Sequence, residues 1–537
     1  MTNSDGHTLT LSGGGLDIDT TSGNGLSATS SGTLNVTGTG NTIDTGSGKA
    51  LNVTSTDVGG TPLTFVRISS NGANGGIVLN TTGANNALTV TSTGAGTCTN
   101  ASSSGCTGGT IANTTGADDS TSAPVGAGIV LKDTKGVSLT RMWLHDHSNY
   151  GIRGTNVVGF TMDISVINGT NGTNGTTPFD DSSVWFDNLT GSASVTNSFV
   201  SGGFEDNFRV VNTSGDLNRI TFTSDTIGDN SAAGGNDGVL LETAATAGQL
   251  QATIQSSTFT GAAGDLLQYN HNGSGAGDLV LTGNAFSNNH PGIATGGGGL
   301  TLTSSGTGGN TTMSITGGNT FRDAVGNALT IVKTTGTSTQ TGTFSNNTIG
   351  VSGTANSGSA EGDGIKIQTV GQGTDTWTVS NNQIHQYNNF GVEVLAGGGA
   401  TAQGGTVNAT ITGNTIDLPG NTAGTITLPK NGVHFNIGTV ASPLPGDTYL
   451  ACAAITGNTL ANSGADGLGL PGSGFDIRLR QRQGTTIRLP GYAGGATDTA
   501  AVQTFVAGNN SAGGPAVVAS ASSPPGGGFV GGAACPQ

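Results

Sequence analysis

Four side chains could together form a sugar-binding groove: Trp185, Asp187, Arg209 and Glu242. An exposed indole offers a flat stacking face and a guanidinium an anion partner. A pair of carboxylates is what glycoside hydrolysis requires. The competing reading is a solvated face with scattered charges. His145-Asp146-His147 is the densest histidine cluster. On a strand, His-x-His places both imidazoles on one face, with Asp163 or Asp146 as a third ligand. The segment fits a strand-turn-strand pattern equally well, so no metal site and no catalytic residue is assigned. Asp118-Asp119 and Asp180-Asp181 sit in loops where Ca²⁺ would bind only weakly. No other cofactor is expected. No nucleophile is paired with a base by a local motif, and no phosphate-cradling loop occurs.

Two short patterns would have to position these residues. One is Gly or another small or acidic residue followed by apolar-x-apolar. It reads Gly128-Ile129-Val130-Leu131, Gly151-Ile152-Arg153, Asn207-Phe208-Arg209-Val210, Gly238-Val239-Leu240-Leu241, Gly364-Ile365-Lys366-Ile367 and Gly391-Val392-Glu393-Val394, with a late copy at Gly467-Leu468-Gly469-Leu470. The other places Asn two residues before an apolar one: Asn41-Thr42-Ile43, Asn197-Ser198-Phe199, Asn284-Ala285-Phe286, Asn319-Thr320-Phe321, Asn347-Thr348-Ile349, Asn382-Gln383-Ile384, Asn414-Thr415-Ile416 and Asn458-Thr459-Leu460. Asp225 and Ser257 replace the Asn in two further copies. Period-two strands separated by Gly/Asn turns bury one face, and a unit of two or three such strands cannot do so alone. Stacked as turns of a solenoid, they can. The Asn amides then hydrogen-bond from turn to turn.

Stacking puts the middle residue of each Gly-apolar-x-apolar strand on the outside. One outward column is Val130, Arg153, Trp185, Arg209, Leu240, continuing with Gln268, Thr301, Thr330, Lys366, Glu393 and His434. Another is Lys132, Thr155, Asp187, Val211, Glu242. Trp185, Asp187, Arg209 and Glu242 therefore fall on three neighbouring turns, about 10 Å along the stack.

Composition agrees. Of 537 residues 97 are Gly, 33% are hydrophobic, 9% charged and 5% aromatic. Gly, Thr, Ser and Asn are poor helix formers, which excludes a helical globule. Charge is too sparse and apolar rhythm too regular for simple disorder. Sixteen Lys and Arg against 32 Asp and Glu leave −16, which disfavours nucleic acid as a partner. No run of apolar residues is long enough for a membrane-spanning helix, so membrane insertion is not expected. Thr-x-Thr rungs in the first third would suit ice only at constant spacing, and rung lengths vary.

The string apolar-x-x-Asn-x-Ile, polar turn, Gly-Ile/Val-x-Val resembles the repeats of right-handed parallel β-helix proteins of the pectin-lyase-like superfamily. It extends roughly from Gly6 to Leu470. The fold implied is all-β, a right-handed single-stranded parallel β-helix of about fifteen coils with a small C-terminal cap. Ser183-Val184-Trp185-Phe186-Asp187-Asn188 partly resembles the Val-Trp-Ile-Asp-His stretch of pectate lyases, with Asn188 in place of the His. The Asn-Thr-Asp, Gly-His-Gly and Arg-Ile-Lys signatures of polygalacturonases are missing, which counts against a conventional pectinase.

The organisation expected is a parallel β-helix over 1–475, capping strands and a short helix over 476–510, and an irregular Gly/Ala/Ser/Pro-rich tail over 511–537. Arg478, Arg480, Arg482 and Arg488 alternate with Ile477, Leu479, Ile487 and Leu489, as suits an edge strand that repels edge-to-edge pairing. Thr497 is the expected helix N-cap, with Asp498 in the first turn and Gly508 at the end. Cys98 and Cys106 flank a turn and should bond locally. Cys452 and Cys535 either bond to each other, pinning the tail, or remain a buried thiol and a free one.

Met1 reads as an added start on a fragment or on a mature domain. The function expected is an extracellular structural or adhesive β-helix segment of a secreted or cell-surface protein. A polysaccharide-binding or polysaccharide-cleaving lyase or hydrolase is the alternative. The partners expected are polysaccharide, a host or neighbouring cell surface, or further copies of the chain.

Overall fold

The computed structural model describes all residues except 120, 174–180, 294–296, 399–401, 418, 421–429, 439–445, 461, 465–473, 512–516 and 522–526. Asp180 and the Gly467-Leu468-Gly469-Leu470 rung thus lie outside the described residues. The strands are parallel and stacked, with one α-helix among the described residues. The chain is a parallel β-solenoid, as the repeats require. It divides into two compact units: Met1–Gly264 with His290–Ile293, and Asp265–Asn289 with Ala294–Gln537.

In the first unit the strands Ile129–Thr140, Ile152–Asp163 and Val184–Thr196 are long, because each turns a corner without breaking. The corner residue is left-handed: Asp133 at φ 45°, Asn156 at 52° and Asn188 at 57°. Asn and Asp tolerate that conformation better than other side chains. They also form a ladder, Asn156 Nδ2 donating to Asp133 Oδ1 at 2.8 Å and Asn188 Nδ2 to Asn156 Oδ1 at 3.1 Å. Phe rings fill the interior, with centroids 5.0 Å apart for Phe160–Phe186 and 5.0 Å for Phe208–Phe222.

In the second unit the expected Asn column is continuous. Asn284, Asn319, Asn347, Asn382 and Asn414 each donate from Nδ2 to the Oδ1 of the next, ending on Asn458, at 2.9–3.1 Å. Asn458 donates in turn to Asn510 at 2.9 Å, a member that follows no repeat signal. The residue before each repeat Asn is left-handed: Gly283, Gly318, Asn346, Asn381, Gly413 and Gly457. That is why Gly or a second Asn stands there.

The same rule corrects one register in the first unit. Asn197, at φ 50°, is the left-handed corner residue, and Ser198 takes the ladder position. Ser198 Oγ accepts from the Ser165 amide at 3.1 Å, and Asp225 Oδ1 accepts from the Ser198 amide at 2.8 Å.

The C-terminal region departs from expectation in three ways. Residues 477–489 form two strands, Ile477–Gln481 and Thr486–Arg488, as capping strands require, but neither is the open edge expected. Each is covered by a further parallel strand, Val517–Ala521 and Gly528–Val530. The tail therefore adds another turn of strands where its composition suggested irregular chain; apolar Phe529, fully buried, supplies the core contact that the surrounding Gly and Ser cannot. The helix Thr499–Gly508 is capped by Asp498, not Thr497, since the Asp498 carboxylate accepts from the Ala501 amide at 2.9 Å. Its C-cap is Asn509, one residue beyond Gly508.

Candidate functional site

The two expected outward columns of the first unit exist. Val130, Arg153, Trp185, Arg209 and Leu240 are register partners on successive strands. Beside them run Lys132, Thr155, Asp187, Val211 and Glu242. Their inward neighbours Val184, Phe186, Phe208 and Val210 are fully buried, so strand alternation holds each polar side chain outward.

The indole is not an open platform. Trp185 is only 9% exposed. The Arg153 guanidinium lies 4.2 Å from its ring centre and that of Arg209 lies 4.7 Å away. Tyr150 meets the same indole edge-on at 5.6 Å. Arg153, 2% exposed, forms an ion pair with Asp187. Arg209 pairs with Glu205 and Asp206, each at 3.3 Å. The aromatic face that a sugar would use is thus occupied by cations, an arrangement whose attraction grows once water is excluded. Glu242 stands two strands from Asp187, with Val211 between them. Burial, then the Asp181 carboxylate, pushes the Tyr150 hydroxyl well above the ordinary phenol range.

The histidine pair separates. Asp146 is left-handed, at φ 58°, and the strand register shifts between His145 and His147. Strand alternation fails there, so the imidazoles do not share a face. His147 is 2% exposed and its Nδ1 lies 2.8 Å from Thr114 Oγ1. Burial lowers its pKa to about 3. His145 instead pairs with Asp146 at 2.7 Å and stacks on Trp143. Asp163, the other candidate ligand, accepts from Thr196 Oγ1 at 2.7 Å. Among the described residues no three His, Cys, Asp or Glu side chains are placed to hold a metal ion.

A second cluster, in the other unit, was not singled out from the sequence. Lys366, Glu393, His434 and Arg478 are register partners on successive strands. Glu393 Oε1 lies 2.8 Å from His434 Nδ1. Its carboxyl also hydrogen-bonds to that of Asp363, which accepts from the Phe390 amide at 3.0 Å. Burial raises Glu393 to about 7, against the pull of Lys366. Burial and then the Glu393 charge hold Asp363 well above the carboxylate range. Burial, followed by Arg478, Arg480 and Arg482, lowers His434 to about 3. Two carboxyls sharing a proton beside a neutral imidazole are the parts of an acid–base centre. Yet Asp363, Glu393 and His434 are 1%, 5% and 2% exposed, so the cluster is sealed from solvent. The outward column already contained Glu393 and His434. Asp363 carries one further signal: it precedes Gly364, at the acidic position that opens the repeat.

Both disulfides are formed. Cys98 bonds to Cys106, and Cys452 bonds to Cys535 across 83 residues with Cα atoms 5.5 Å apart. No protein-family model matches the chain, and neither a curated protein nor a solved structure is found to be similar to it.

Proposed function

We propose that this chain is an extracellular structural or adhesive β-solenoid, of the pectin-lyase-like superfamily, presented on a cell surface or secreted. The observation that carries the reading is the state of Trp185, buried with a guanidinium near its ring on either neighbouring strand. The side chains best suited to chemistry are paired with one another, and all but Asp187 are withdrawn from solvent. Arg153 is paired with Asp187, and Glu393 with Asp363 and His434. Such pairing supports a rigid scaffold more than a turnover site. Two disulfides suit an oxidising compartment. The repeat strings carry the superfamily assignment.

The test is a panel of acidic and neutral polysaccharides, assayed for reducing ends and for unsaturated products, alongside retention of labelled protein on cell surfaces. Retention without product is the expected result. Product formed at a rate that scales with protein and is abolished by Asp187→Asn or Glu393→Gln would overturn it. A polysaccharide-binding or polysaccharide-cleaving β-helix is the second reading. It is favoured by Asp187, whose side chain keeps 34% of its surface exposed while paired with Arg153.

A further inference from the structure

The second unit carries an open groove of about 240 Å³ on its outer surface. It crosses four neighbouring strands, Thr406–Thr412, Leu450–Thr456, Thr486–Arg488 and Gly528–Val530. Three strand spacings make it about 14 Å long. Its walls are largely apolar. Leu450 is 59% exposed and Val530 39%, two of the most exposed large apolar side chains among the described residues. Water-facing apolar surface gathered in one concavity marks a binding site more than scattered exposure does.

One cation lines this trough. Arg488 Nε donates to Cys452 Sγ at 3.3 Å, which fixes the guanidinium against the groove wall. Among the described residues its two terminal nitrogens have no hydrogen-bond partner. A guanidinium whose terminal nitrogens meet no carboxylate among the described residues can take one from outside, against the repulsion of a chain with net charge −16. Arg presents a planar fork that takes a carboxylate through two parallel hydrogen bonds. Thr406 and Thr486 add hydroxyls at the margin. The Cys452–Cys535 bond holds the wall that carries Arg488 and Val530 together.

We propose that this groove binds a medium-chain fatty carboxylate, its acyl chain lying along Leu450 and Val530 and its head on Arg488. The elongated shape favours a linear chain over a ring. This site is independent of the adhesive reading, since it lies on a different set of residues.

The experiment titrates octanoate, labelled with ¹³C at the carboxyl carbon, into the full chain and follows its resonance. Saturable binding is expected, with acetate failing to bind for lack of an apolar body. Octanol, which lacks the charge, should bind at least tenfold more weakly. Arg488→Gln should weaken octanoate at least tenfold and leave octanol unchanged, with circular dichroism confirming the fold. Should that variant not fold, Leu450→Ser, at an exposed position, must weaken octanoate severalfold. Absence of saturable octanoate binding overturns the proposal, as does octanoate affinity unchanged in a folded Arg488→Gln protein. Tighter binding of hydrocinnamate than of octanoate overturns the linear-chain assignment.

Discussion

Asn382 donates from Nδ2 to Asn414 Oδ1 at 2.9 Å, and its own Oδ1 accepts from both the backbone amide and the side-chain amide of Asn347. Each ladder residue thereby satisfies donors of the preceding turn while its own donors are satisfied by the next. It also donates to a strand carbonyl, in this case that of Phe344 at 2.9 Å. Nothing in the column is left for water, and Asn382 is fully buried.

Replacing Asn382 by Leu should therefore cost more than one hydrogen bond. Two donors on Asn347 and a carbonyl lose their partners in a place that water does not reach. A loss of roughly 2–4 kcal/mol is expected from chemical denaturation. Asn510→Ala, at the half-buried end of the ladder, should cost less. Equal losses at both positions would show that the ladder is not a chain of mutually dependent bonds.

The pH dependence has two opposing parts. Glu393 and Asp225 are both raised to about 7 by burial. Their neutral forms are favoured in the fold, so their contribution is complete below the ordinary carboxylate range and is lost as pH rises through about 7. His434 and His147 are lowered to about 3. Their contribution is complete above the ordinary imidazole value and is lost as pH falls toward 3. Between pH 5 and 8 the denaturation midpoint of Glu393→Gln should fall less than that of the parent. A parallel fall in both proteins would remove Glu393 as a source of the dependence.

The two disulfides should differ in weight. A link across 83 residues restricts the unfolded chain more than one across 8. The chain-entropy account gives about 4.5 kcal/mol against about 2.5. Cys452→Ser with Cys535→Ser should lower the thermal midpoint further than Cys98→Ser with Cys106→Ser. The reverse order would place the larger effect in strain or local packing.

Trp185 should behave as a core residue. Trp185→Ala is expected to cost roughly 3–5 kcal/mol, with Arg153 and Arg209 losing the ring between them. In a Trp143→Phe, Trp377→Phe background its fluorescence should resist quenching by acrylamide. Quenching as strong as that of free tryptophan would show an open indole and revive the stacking platform.

Much of the architecture was legible in the residues. Period-two apolar positions place Val184, Phe186, Val392 and Val394 inside, and the Asn spacing predicts the ladder from Asn284 to Asn458. Both follow from local rules, alternation along a strand and repetition along the chain. The same rules located Arg153, Trp185 and Arg209 in one column, because register in a solenoid is set by counting within each repeat.

What the chain places against that column was decided by tertiary structure. A side chain outward from the sheet is exposed only if no other group packs on it, and no periodicity reports that. Trp185 points outward as counted and is buried by Arg153, Arg209 and Tyr150. Asp363 meets Glu393 through a turn rather than a strand, so spacing does not predict the contact. His145 and His147 part because one left-handed residue, Asp146, breaks the alternation. The pairing of Cys452 with Cys535 depended on the path of the tail, whose Gly-rich sequence carries little local preference; two short strands bring Cys535 back to the rung of Cys452. Local repetition thus set the stack and its register, whereas contacts between residues far apart in sequence set which outward groups remain open to solvent.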